Sequence, residues 1–449
     1  MNNCLVQYYR CPERYVRLLP KGPLSATEGY FQFGEGAICY GQYGGAEPSP
    51  LPAGHLPDAL ANVAFEDGTT CLPFDPSQIV DNFGREAYVH GSSQAKPKAA
   101  LSKLYYLVRP VLSVGVRKHL QRFHLRGWDK IPFPQWPVDR TVDVVVERLL
   151  QLSLKAQRRE SIPFIWFWPD GAPSCAVMTH DVETTAGRDF CSTLMDIDDR
   201  FGIKAAFQVV PEERYEVSRE YLDSITRRGF EVAVQDLNHD GHLYSDRQQF
   251  LSRVSKINRY GREWGAEGFR AAILYRHEEW FDDLDFSYEM SVPNVAHLDP
   301  QRGGCCTVMP YFIGKLLELP VTTTQDYPLF HILGDYSIDL WKRQTELIME
   351  KHGLMSFIVH PDYIMSSRER RTYETLLGYL SQLRDERGVW IAKPGEVSRW
   401  WRQRASMQLV ETECGWQIEG EGKKRARIAY ASEENGRIKF SLRAETLVR

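Results

Sequence analysis

Residues 176–183 read Ala-Val-Met-Thr-His-Asp-Val-Glu. A short apolar stretch, long enough for a buried strand, ends in an acid, one spacer and a second acid. Side chains in extended backbone alternate with a period of two, so Asp181 and Glu183 leave the chain on the same side. At the carboxyl end of a strand in a parallel α/β protein, such side chains point into the crevice where ligands bind. Two carboxylates facing one way repel each other unless a cation or a proton separates them. The chemistry open to this spot is metal binding or acid/base catalysis.

Three further strand ends carry polar residues of the same kind. The apolar run at 231–234 continues into Gln235, Asp236, Asn238, His239, Asp240 and His242. The run near 267 ends at Phe269 and Arg270, and the run at 356–359 ends at His360, Pro361 and Asp362. A barrel would bring all four ends to one rim. Each alone has a plain structural alternative: a solvated strand end for Asp181 and Glu183, a turn cap for His239, an ion pair for Arg270, a loop-positioning His-Pro for His360.

The elements that must position these residues follow from periodicity. Strand-like pieces fall at 175–180, 204–210, 230–234, 267–270, 316–322, 355–360 and 388–392. Helical pieces fall near 188–201, 216–228, 246–264, 336–352, 368–384 and 395–403. Regular alternation implies parallel strands with right-handed crossovers. About seven such units favour an α/β barrel over a doubly wound open sheet.

Four regions are expected. Residues 1–97, with strand-like pieces at 30–34 and 37–40 and a Gly/Pro loop at 44–52, form a β-rich module. Residues 98–159 form a helical and Pro-rich connector. Within it, the basic segment 98–127 has helical apolar spacing (Leu101, Leu104, Val108, Leu112, Val116, Leu120) and is read as packed on its own domain rather than on a membrane surface. A further short helix is expected near 141–156, with Val145, Leu149, Leu150 and Leu152 buried. Residues 160–404 form the barrel. Residues 405–449 alternate apolar and polar residues between glycine turns and form a small antiparallel β appendage.

Composition narrows the partners. The net charge of −4 gives no electrostatic footprint for nucleic acid or an anionic membrane. The nine cysteines include no C-x-x-C and are read as reduced thiols. No stretch approaches the ~18 apolar residues of a spanning helix. No basic-then-apolar leader opens the chain. A cytoplasmic protein is the expectation, with a homo-oligomeric state left open.

Over 160–404 the chain resembles the polysaccharide deacetylase superfamily, the NodB-homology or carbohydrate esterase family 4 domain. That resemblance implies a deformed (β/α) barrel. Thr179-His180-Asp181-Val182-Glu183 is similar to the family motif T-F-D-D-G. It implies Asp181 as general base, or as a metal ligand itself, and Glu183 as a metal ligand, since Val182 stands where the family has its second acid. The family's H-x-x-x-H matches Gln235 and His239, the two residues expected on one face of a helical turn. The resemblance implies that both bind the metal, with zinc held more weakly because a neutral amide replaces an imidazole. His242 is the alternative to Gln235 as ligand. Phe269-Arg270-Ala271-Ala272 resembles F-R-x-P and implies Arg270 as the residue orienting the base. Asp339-Leu-Trp341 is the match for the family's acid-plus-aromatic motif, with Asp339 as a catalytic candidate. Val359-His360-Pro361 implies His360 as general acid.

The implied activity is removal of an N-acetyl group from an amino sugar in a glycan or glycan precursor, with a divalent metal, zinc by expectation, as cofactor. Two alternatives share the fold. One is an amide hydrolase that works without a metal. The other is a degenerate member that binds glycan or protein without turnover, to which the glutamine at 235 would also belong.

Overall fold

The computed structural model describes residues 3–90, 125 and 127–442, so the basic segment expected over 98–127 lies almost wholly outside them. The site rests on nine strands: β1 Cys175–Val182, β2 Ala206–Val209, β3 Glu231–Gln235, β4 Gly268–Arg270, β5 Tyr288–Glu289, β6 Tyr311–Ile313, β7 Leu316–Glu318, β8 Leu354–Ile358 and β9 Trp390–Ile391. Their order is β6-β7-β5-β4-β3-β2-β1-β8, with β9 also paired to β1. Every pairing is parallel except β6 with β7, a short hairpin.

This is a curled, half-barrel parallel sheet in a mixed α/β protein. β1 is buried along its whole length, as expected of a strand covered on both faces. Seven strands match the seven expected from sequence. The two strands not expected are β5 and β6, with two and three residues. The crossover helices Thr185–Arg200, Arg219–Arg227 and Arg247–Trp264 start on Thr184, Ser218 and Asp246, whose side chains accept the backbone N–H three residues on. Asp339–Met349, Ser367–Arg387 and Pro394–Ser406 complete the helical layer.

Among the described residues the sheet does not close by a backbone ladder. Between β7 and β8 the chain at 319–324 stands in for a strand, and threonine side chains make the bonds. Thr322 Oγ1 donates to Leu354 O (2.6 Å) and accepts from Ser356 N (2.9 Å), and Thr323 Oγ1 donates to Ser356 O (2.7 Å).

The flanking regions pack onto the barrel. The N-terminal residues form a hairpin, Gly29–Gln32 with Ile38–Gly41, and a three-stranded sheet of Leu18–Pro20, Thr69–Leu72 and Ala64–Glu66. Helices Cys4–Tyr9 and Pro76–Gly84 accompany them. Thr141–Gln157 buries Val145, Leu149, Leu150 and Leu152, the stripe expected. At the C-terminus, Gln408–Thr412 pairs with Gly415–Glu419. Ile428–Glu434 pairs with Arg437–Leu442 on one edge and with Ser161–Ile165 on the other. One apolar cluster runs from Leu5 through Leu149 to Ala429 and Ala431. No helix of the described residues is long and apolar enough to cross a membrane.

Candidate active site

β1 delivers Asp181 to the carboxyl end of the sheet, where it is 3 % exposed. Alternation sends His180 the other way. Its ring nitrogens meet Val359 O and Asp198 Oδ2, both at 3.0 Å, and Tyr373 OH donates to Asp198 Oδ1 at 2.6 Å. His180 is therefore a satisfied residue behind the strand.

Arg270 is fully buried and touches Asp181 Oδ1 through Nη1 at 2.5 Å. Its Nε donates to Met290 O and its Nη1 also to Thr179 Oγ1, each at 2.9 Å. The residue that follows β5 and, across the curled sheet, β1 thus fix the guanidinium before it meets the carboxylate. A buried ion pair with its remaining donors satisfied is costly to break from one side.

Gln235 ends β3, in register with Arg270. Its Nε2 donates to Asp181 Oδ2 (3.1 Å) and lies 3.3 Å from Glu183 Oε1. The amide bridges the two carboxylates. Its Oε1 is buried without a hydrogen bond.

His239 does not share a helical turn with Gln235. The strand gives way to an irregular loop in which Asp236 and His239 take left-handed backbone (φ 52° and 55°). Other side chains hold that loop: Arg214 donates to the carbonyls of Asn238 and His239, and Arg253 grips Asp240 with two bonds of 2.7 Å. His239 Nε2 comes within 2.7 Å of Glu183 Oε1, yet it is off line for a hydrogen bond. His242, the alternative ligand, is exposed and faces Ser245 instead.

His360 follows β8. Its Nδ1 lies 2.7 Å from Asp326 Oδ1, and its backbone N–H donates to Asp326 Oδ2 at 2.7 Å. Its Nε2 lies 3.4 Å from Glu183 Oε1. Burial pushes the His360 pKa down, but Asp326 and Glu183 outweigh it and hold the imidazole well above its ordinary value. Glu183 moves the other way. Burial raises its pKa, and His239 and His360 more than reverse that, leaving it well below the usual carboxylate range.

Asp181, Glu183 and His360 present ligand atoms within 4.8 Å of one another. The residues fit a divalent cation: two carboxylates and two imidazoles converge, and the unpaired, buried Gln235 Oε1 and His239 Nε2 sit among them. With the Gln235 amide turned over, its oxygen would face two carboxylates, which only an intervening cation or proton would hold together.

Asp339 is not brought to this site. It is exposed in the first turn of its helix, where its backbone N–H donates to Ser337 Oγ. No described hydrogen bond or ion pair links it to Asp181, Glu183 or His360. Trp341 is buried and donates to Thr324 O at 2.6 Å. The acid that reaches the histidine is Asp326, thirteen residues earlier in the chain. It opens a short helical turn that runs into the irregular helix Pro328–Leu333, too brief to leave a periodic signal in the sequence. Gln208, beside Asp181 in register on β2, is also buried, with neither amide atom hydrogen-bonded.

No family model matches the chain, and no curated protein matches it. Solved structures similar to it include a putative polysaccharide deacetylase from Mycobacterium smegmatis, at 18% identity and TM-score 0.44, covering 56% of this chain and 97% of that one. Another is the Puue allantoinase, at 13% identity and TM-score 0.41, covering 52% and 92%. A third is a family 4 acetyl xylan esterase from Clostridium thermocellum in complex with a cobalt ion, at 12% identity and TM-score 0.32, covering 51% and 91%. At these identities and TM-scores the likeness adds nothing about the chemistry, which rests on the side chains described above.

Proposed function

We propose that this chain is a metal-dependent hydrolase that removes an N-acetyl group from an amino sugar of a glycan or glycan precursor. The observation that carries the reading is Glu183 flanked by His239 and His360, with Asp181 held by Arg270 on the neighbouring face. Glu183 and His239 would hold the cation, with Gln235 Oε1 or Asp181 completing the set. A zinc ion there would supply Lewis-acid polarisation of the acyl oxygen.

The protein's own groups do the proton work. Asp181, fixed by Arg270 and Gln235, accepts a proton from the attacking water. Asp326 accepts the Nδ1–H and favours the imidazolium, and His360 delivers its Nε2 proton to the leaving nitrogen. Each well-placed proton transfer is worth roughly 10²–10⁴ in rate.

One observation favours a second reading. The Gln235 amide already bridges Asp181 and Glu183 as a neutral donor, so the same residues suit amide hydrolysis without a metal. Two measurements separate the readings. Elemental analysis of protein purified without chelators reports the metal. Acetate release from N-acetylglucosamine-containing glycans reports the chemistry. Metal at one equivalent with acetate release supports the first reading. Acetate release without metal supports the second, and metal-free protein inert on every N-acetylated glycan overturns both.

A further inference from the structure

Behind Arg270 the chain makes a turn that ordinary residues avoid. Ile273 and Leu274 both take left-handed backbone, φ 61° and 54°. For a β-branched residue that conformation is a genuine outlier and persists only where the surroundings impose it. The imposing residue is Arg276. Its Nη1 donates to Leu274 O at 3.0 Å, so the guanidinium caps the strained turn directly. Gln301 holds both backbone groups of Arg276, each at 3.1 Å.

Arg276 is in turn held by the N-terminal region. Glu86 accepts from Nε at 2.5 Å and from Nη2 at 2.6 Å, a bidentate pair in which both residues are buried. Such a fork sets direction as well as distance. Glu86 Oε1 also takes the Gly304 N–H, and Tyr88 OH donates to Gly304 O at 2.7 Å.

The turn touches the site at two places. It begins at Ala271, next to Arg270, where Ser291 Oγ takes the backbone N–H at 2.8 Å. Ile273 packs on the loop that carries His239: a Cβ added at Gly241 would stand 3.1 Å from Ile273 Cδ1.

We propose that Glu86, acting through Arg276, is a positioning residue for the hydrolytic site: it keeps the strained turn at 271–276 closed, and so sets both Arg270 and the His239 loop. This assigns the N-terminal region a part in the reaction. It rests on the hydrolase reading, but one arm of its test does not.

The full chain is compared with Glu86→Gln. Glu86→Gln lowers kcat for acetate release about tenfold or more, with KM changed less than about twofold, because the shift falls on the reacting groups. Amide hydrogen exchange speeds up at 271–276 and 236–242, and protection in Thr185–Arg200 is kept. Three results overturn the proposal: full activity in Glu86→Gln, unchanged exchange at 271–276 and 236–242, or exchange raised throughout the barrel. If the parent chain releases no acetate, the hydrolase reading fails by itself, and the local exchange difference still decides whether Glu86 holds the turn.

Discussion

His360 and Asp326 show how one buried contact sets a reactive group. Asp326 accepts both the ring and the backbone N–H of His360, which raises the imidazole's pKa. A raised histidine is a stability term that is complete below its unfolded value of about 6.5 and is lost as pH rises through the folded value. The protonated form is also the one that donates to a leaving amine. The alkaline limb of kcat/KM is therefore expected above the ordinary histidine range, and Asp326→Asn should move it to lower pH. A limb unmoved in a pH profile of that variant would remove His360 from the role. The depressed Glu183 acts in the opposite sense, its contribution being present at neutral pH and lost as pH falls through its folded value. Gln235→His replaces an amide with the imidazole that zinc prefers. It should raise zinc affinity on the order of 10–100-fold, read by competition with a chromophoric chelator.

The element scale is where the sheet's open seam matters. Among the described residues β8 has a strand partner only on the β1 side; on its other edge Val308 O accepts the Leu354 N–H at 2.8 Å, and the threonines at 322 and 323 serve the rest. Thr322→Val keeps the shape and removes the hydroxyl, leaving Leu354 O and Ser356 N unpaired. The expected loss is roughly 1–3 kcal/mol, read as a lower midpoint with an unchanged slope in denaturant unfolding. His360 lies two residues past β8, so kcat should fall as well if the seam also orients the imidazole. The strand-to-loop change after Gln235 belongs to this scale too. Gln235 inherits its direction from β3, whereas His239 depends on Arg214 and Arg253.

At the scale of the whole molecule, the parts that flank the barrel are built into it. Ser161–Ile165 precedes β1 in the chain and pairs with Ile428–Glu434 from the C-terminus. The buried Arg404 guanidinium bonds Ile165 O, Trp166 O and Tyr8 O, tying barrel end and N-terminus together. A chain ended after Ser406 would leave Ser161–Ile165 as an open edge over exposed core, a template for aggregation. It should lose its cooperative melting transition and elute as aggregate in gel filtration. Monomeric elution with the parent's melting temperature would show that the C-terminal strands are a separable appendage.

What the residues determined by themselves was local. Apolar runs alternating with helical stripes marked seven of the nine strands and the barrel helices. Strand ends carrying Asp181, Arg270 and His360 pointed at one rim, because a parallel sheet aligns its carboxyl ends. Only the tertiary structure decided what depends on contacts far apart in sequence. Asp326 rather than Asp339 meets His360, because the loop after β7 and not the helix at 339 runs past β8. His242 falls outside the site because the left-handed turns after Gln235 aim His239, not His242, at Glu183. Glu86 reaches the strained turn across 190 residues, a distance over which periodicity carries no information.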